Sequence, residues 1–129
     1  MQNRYTAHVA IGCSNLALAK EFYLLLPQCT HTRSYPDREC FSFYGIQLVA
    51  HRSDAEQRSR EHYPYHFGAN LTISRELEEI RQILDDNGLE YRGGSRFDGT
   101  VSEHEFVSFQ DPFGNFIEFK YYPLSKTGY

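Results

Sequence analysis

What most restricts the folding of this chain of 129 residues is that one pattern is written in it twice. Residues 5–12 (YTAHVAIG) set Val9 and Ile11 against His8 and Ala10, the alternation of a half-buried strand. Ser14 is an N-cap candidate for a helix running to about residue 26, with Leu16, Ala19, Tyr23 and Leu26 on one face and Pro27 as its stop. Short strands follow at about 30–34, 39–44 and 46–51, the last two joined by a tight turn at Tyr44-Gly45. A charged connector, about 52–64, leads to a second strand at 65–74 and a helix over about 75–87. Ser74 caps that helix, Glu76, Glu78 and Glu79 favour its positive end, and Gly88 takes the C′ position. Leu77, Ile80, Ile83 and Leu84 are its apolar stripe, and strands at about 90–97, 103–110 and 116–122 complete the copy. Each half therefore reads β-α-β-β-β, and neither closes a core well alone. The expectation is an α+β fold: two βαβββ modules, about 5–51 and 65–122, forming a cupped mixed sheet with helices on its outer face, as a single domain over 1–129.

Apolar residues at 40% and aromatics at 16% suit an ordered chain. Thirteen basic residues against 17 acidic ones give a net charge of −4, and no Lys/Arg stripe marks a nucleic-acid surface. Arg52, Arg58 and Arg60 are interleaved with Asp54, Glu56 and Glu61, as in a solvated connector. No apolar run approaches the roughly 20 residues that cross a bilayer, and the first residues lack the pattern of a leader. Cys13, Cys29 and Cys40, an odd set without a CxxC, fit free thiols in a reducing compartment. A soluble cytoplasmic protein is expected.

Strand parity assigns faces. On 65–74, Phe67, Ala69, Leu71 and Ile73 belong under the helices, so His66, Gly68, Asn70 and Thr72 point away. On the last strand Ile117, Phe119 and Tyr121 share the apolar side, opposed by Phe116, Glu118 and Lys120. Val9 and Ile11 turn inward and leave His8 outward; Ile46, Leu48 and Ala50 do the same and leave Gln47, Val49 and His51 outward. His8, His66 and Glu118 thus share the face turned from the helices. Two imidazoles and a carboxylate with open positions suit non-haem Fe(II) and related divalent ions, whereas a structural site is closed by four ligands. A lone strand His is more often a hydrogen-bonded or solvated residue than a ligand, but a Glu inside FIEFKYY must be paired or ligated.

FVSFQDPFGNFIEFKYY resembles the closing motif of the vicinal-oxygen-chelate superfamily, which comprises glyoxalases, bleomycin-resistance proteins and extradiol dioxygenases. Glu118, four residues after Gly114 in the turn DPFGN, matches the family's carboxylate ligand. HVAIGCSNLALAKEFY resembles the opening motif with His8 as its ligand, and His66-Phe67 the middle one. FYGIQLVAH is similar to small proteins described as predicted extradiol-dioxygenase-like. The resemblance covers nearly the whole chain and specifies no substrate. One departure matters: glyoxalase-type sites draw a fourth ligand from the first module's last strand, and counting four from Gly45 leads to Val49, which cannot coordinate.

The resemblance implies a metal-dependent enzyme that chelates a small substrate through adjacent oxygens, of the extradiol dioxygenase type, with one divalent ion per site, Fe(II) favoured and Mn, Zn or Ni compatible. The alternatives are a glyoxalase-like lyase or isomerase, a fosfomycin-type transferase using the same metal, or a non-catalytic bleomycin-resistance-like binder. His51 is the first acid/base candidate, outward beside Val49; a solvated strand-end His explains it equally well. His104 is a second candidate, and His62 replaces His66 as a ligand if the strand register slips. Tyr63, Tyr65, Tyr91 and Tyr122 could lend polar tips to a pocket, Gln47 could orient a ligand, and His31 has no assigned role. The family also implies a homodimer with shared sites, His8 from one subunit and His66 with Glu118 from the other.

Overall fold

The alternation that marks both halves becomes two mixed sheets in a computed structural model of the chain, which describes residues 6–54 and 64–123. The first half runs β1 (His8–Cys13), α1 (Leu16–Tyr23), β2 (Cys29–Tyr35), β3 (Arg38–Phe43) and β4 (Ile46–Arg52). The second runs β5 (Phe67–Leu71), α2 (Ser74–Asp86), β6 (Arg92–Arg96), β7 (His104–Gln110) and β8 (Phe116–Tyr121). Their sheet orders are β1-β4-β3-β2 and β5-β8-β7-β6. In each, the first strand pairs parallel with the last, and the other pairs are antiparallel. The α+β class and the doubled βαβββ module are as the sequence predicts. The chain forms two compact units, 1–61 with 111–115, and 62–110 with 116–129; the turn that joins β7 to β8 thus belongs to the first.

Local chemistry sets the boundaries. β1 runs through Cys13, so the cap of α1 falls on Asn15 rather than Ser14, and the Asn15 side chain accepts from the Leu18 N–H at 2.9 Å. The helix ends at Tyr23, short of residue 26, because Pro27 disfavours α geometry at the residue before it. Leu25 and Leu26 instead bond back three residues, to the carbonyls of Phe22 and Tyr23. Ser74 is the first residue of α2 and not its cap; Ile73 occupies that place without a side-chain bond and is 50% exposed, which removes it from the expected core. At the other end Leu89 N–H reaches the Leu84 carbonyl and Gly88 N–H that of Asp85, with Gly88 at φ +65°, a Schellman ending. Tyr44 at φ +48° and Gly45 at φ +83° build the left-handed two-residue turn of the β3–β4 hairpin.

The first core gathers Tyr23, Phe41, Phe43, Leu48 and Ala50 beneath α1, which packs on β3 and β4. The second gathers Leu77, Ile80, Leu84, Val107, Ile117 and Phe119 between α2 and its sheet. A fully buried Phe or Leu contributes about 2–3 kcal/mol by burial, so these rings and aliphatics fix which face of each sheet is left for function. Cys13, Cys29 and Cys40 are free and buried, and burial pushes the Cys29 thiol up to about 12. Among the described residues, no helix is long and apolar enough to cross a membrane.

Candidate functional site

In the second unit the parity of β8 sends Ile117 and Phe119 into the core and Glu118 to the opposite face, where it is nonetheless only 3% exposed. A carboxylate so deep needs cations or a metal to hold its charge. Arg96 on β6 donates to Glu118 Oε1 at 3.0 Å, His66 Nε2 stands 3.5 Å from Oε2, and Lys120 Nζ lies 3.9 Å from the same oxygen. The Arg96 guanidinium carbon lies over the Phe106 ring, 3.7 Å from its centroid, so an aromatic face helps to fix its orientation. The sequence reading missed Arg96. Its signal was there: in an antiparallel meander β6–β7–β8, Arg92, Gly94 and Arg96 take the parity of Ser108 and Glu118.

Close approach of β5 to β8 sets this geometry. Gly68 is the register partner of Glu118. A Cβ on Gly68 would stand 2.6 Å from the Glu118 carbonyl carbon and closer still to its oxygen, so only glycine permits the two backbones this separation. β5 begins at Phe67, and His66 precedes it on the approach to the strand, rather than lying within it.

In the first unit His8 opens β1, exposed, and pairs in register with Gln47; Ala10 pairs with Val49 and Gly12 with His51. All lie on the face away from α1. Four residues separate the His8 and His51 positions along the strands, about 13 Å at roughly 3.3 Å per residue, so the sheet carries these imidazoles at opposite ends of one face. Arg38 is the register partner of His51 on β3. Val49 is 9% exposed and has no atom that could coordinate a metal.

Comparison with solved structures decides the family. A glyoxalase/bleomycin resistance protein/dioxygenase from Alicyclobacillus acidocaldarius is 35% identical, covers 95% of each chain and superposes with a TM-score of 0.83. The chain belongs to this family, within the vicinal-oxygen-chelate superfamily. Two more distant neighbours share its fold: the genomically encoded fosfomycin resistance protein FosX from Listeria monocytogenes (TM-score 0.74, 16% identity, 92% of this chain and 91% of that one) and lactoylglutathione lyase from Agrobacterium tumefaciens (0.70, 16%, 94% and 96%). No protein-family model and no curated protein sequence matches the chain.

Of the three residues that the resemblance implies as ligands, the second unit brings His66 and Glu118 together, and His8 lies in the first. Among the described residues, no three of His, Cys, Asp or Glu are grouped closely enough to hold a metal ion. His104 is 4% exposed; its Nδ1 donates to the Ser102 carbonyl at 2.9 Å and its ring packs 4.7 Å from that of Tyr122. His31 is a packing residue on the other face of the first sheet, bonded to Glu39 at 2.6 Å and edge-on to Phe41. The Tyr91 hydroxyl meets Asp85 at 3.4 Å while Tyr91 also lines a cavity of about 240 Å³ with Arg92, Ser108 and Phe116. Tyr65 is 52% exposed. His62 and Tyr63 lie outside the described residues.

The turn DPFGN has its own chemistry. Asp111 is buried and accepts four bonds: the Tyr23 hydroxyl at 2.6 Å, the backbone N–H groups of Phe113 and Asn115 at 2.9 Å, and the Asn115 amide at 2.8 Å. Asn115 also donates to the Gly12 carbonyl at 2.9 Å, so the turn is stitched to the end of β1. Burial raises the Asp111 pKa, with the four bonds opposing it, and burial beside that carboxylate pushes the Tyr23 hydroxyl well up.

Proposed function

We propose that the chain is a metal-dependent enzyme that takes a small substrate by two adjacent oxygens, an extradiol-type dioxygenase. The observation that supports this reading most is the Glu118 carboxylate, 3% exposed on a strand face beside His66 Nε2 at 3.5 Å. A nitrogen and a carboxylate oxygen in that relation are a donor pair suited to a divalent ion, and Val49 leaves the set at three.

His8, His66 and Glu118 would hold the ion, Fe(II) by preference, with Mn, Zn and Ni also compatible. When bound, such an ion lowers the pKa of the oxygens it meets and polarises them. Arg96 keeps one oxygen of Glu118 engaged, which fixes the direction of the other. Gly68 keeps β5 close enough for His66 to stay in reach. His51 accepts or returns a proton on the substrate itself, since it lies too far along the strands from His8 to touch the ligand set. Gln47, beside His8, orients that imidazole. The working unit is a homodimer in which His8 of one subunit completes the set of the other.

The test is metal content followed by oxygen consumption. Protein loaded anaerobically with Fe(II) should bind one equivalent per chain, and His66→Ala and Glu118→Ala should lose it while keeping their circular dichroism. Oxygen uptake with a catechol then distinguishes the dioxygenase from a lyase, isomerase or transferase using the same ion. Undiminished stoichiometric metal in both variants would rule out the assigned site, and a wild type that takes up no stoichiometric metal favours the non-catalytic binder.

A further inference from the structure

The first sheet carries a built pocket that the metal ligands do not use. A bulge in β2 shifts register between His31, opposite Phe41, and Arg33, opposite Cys40. Before it, Thr30 shares the outward face with Ser42; after it, Arg33 and Tyr35 take that face, and Ser34 turns inward with Glu39. Without the extra residue Arg33 and Tyr35 would follow His31 to the side packed on Phe41. Bulges re-aim side chains in this way beside functional sites. Here the consequence is a cavity of about 350 Å³ lined by Arg33, Tyr35, Arg38, Cys40, Gln47 and Val49, with Thr32 at its edge.

Its charge is one-sided. Arg33 donates to the Tyr35 hydroxyl at 3.1 Å, and the Arg38 guanidinium lies 4.0 Å from the centroid of the same ring. Two like charges are thus gathered around one phenol in a chain whose net charge is −4. Among the described residues no carboxylate lines the cavity; Glu39 faces the other side, and Asp37 holds Arg38 from an exposed turn at 3.0 Å. An exposed pair of that kind contributes little and yields readily to another anion. Guanidinium forks match the paired oxygens of a carboxylate, phosphonate or phosphate. Gln47 and Thr32 add neutral hydrogen-bonding groups, and Val49 with Cys40 forms an apolar floor.

We infer that this pocket binds the oxyanion group of a small organic acid, its carbon body resting on Val49 and Cys40 and its charge on Arg33 and Arg38. Gln47 connects it to the proposed chemistry, because Gln47 lines the pocket and is the register partner of His8. On the reading given above, the substrate is then an anion that carries a carboxylate or phospho group besides the oxygens it presents to the metal. The pocket itself does not depend on that reading.

Binding to the full-length, chelator-treated protein tests it, with phenylphosphonate and benzoate as anionic probes and benzamide as the neutral control, followed by calorimetry or by the Arg side-chain NMR signals. At least one anion should bind saturably and benzamide should not. Arg33→Gln and Arg38→Gln should each weaken binding by about tenfold, the loss of one charge-assisted contact, and Arg38→Lys should recover only part of it. Glu118→Gln should leave anion affinity unchanged while removing metal, so that metal and anion sites fail separately. Equal affinity for benzamide, or anion binding indifferent to both arginines, overturns the inference. Anion binding that tightens in Glu118→Gln and ignores both Arg33 and Arg38 moves the anion to Arg96 and Lys120 and overturns it as well.

Discussion

Replacing Asp111 by Asn tests whether the DPFGN turn is held by charge or merely by shape. The carboxylate accepts four bonds in a buried setting. An amide keeps one acceptor oxygen for the two backbone N–H groups. Its NH2 then faces the Asn115 amide, which cannot flip because its nitrogen also serves the Gly12 carbonyl. The Tyr23 hydroxyl can turn to accept; the Asn115 donor cannot adapt. One charge-assisted bond is lost, worth about 1.5–3 kcal/mol, and one buried donor is stranded at about 1–3 kcal/mol. Against this, the variant no longer buries a charge, the burden that raises the Asp111 pKa. The expected net loss is about 3 kcal/mol at neutral pH, or roughly 10 °C in Tm for a chain of this length. The pH dependence has a definite sign. A folded pKa above the ordinary 3.8 means that the native state holds its proton longer than the unfolded one. Wild-type stability from this group is therefore greatest at acid pH and falls as pH rises through the interval above 3.8. The gap between wild type and Asp111→Asn should be widest in acid and narrow toward neutrality. Urea titrations at several pH values measure it. A variant within about 0.5 kcal/mol of wild type throughout, or a gap that widens with pH, refutes the reasoning.

Gly68→Ala should cost about 3 kcal/mol, since a Cβ meets Glu118 backbone that cannot yield, and any folded fraction should bind metal less tightly; unchanged denaturation and metal affinity would contradict that close approach. His51→Ala should retain metal and lose turnover by about a hundredfold, with unchanged kinetics reducing it to a surface residue. Mixing inactive His8→Ala with inactive Glu118→Ala should restore partial metal binding and activity after subunit exchange, because one site of a mixed dimer is intact; no recovery after verified exchange removes the shared-site proposal.

The sequence disclosed most where a period repeats. Alternation around Val9, Ile117 and Phe119 announces strands and their faces, and Leu77, Ile80 and Leu84 announce α2, because side-chain direction follows directly from backbone period. Caps were less legible: Ser14 and Ser74 satisfy the composition rule, yet the chain used Asn15 at one helix and no side chain at the other. Serine reports that a cap is affordable, while where the strand stops decides which residue serves. Glu118 stood out in FIEFKYY because a buried charge demands a partner, but that partner, Arg96, sits 22 residues away in sequence. Only the register of β6 on β7 and β7 on β8 brings it there, and register was not read for that strand.

The bulge in β2 shows the same limit from the other side. Strict alternation through residues 30–34 would have put Arg33 on the packed face, a place where an unpaired guanidinium is costly. One inserted residue turns that conflict into an outward pair of arginines. A local violation of periodicity is therefore informative in its own right: where parity would bury a charge, either the residue is partnered or the strand is bulged. Glu118 follows the first course and Arg33 the second, and both end on faces that the helices leave open.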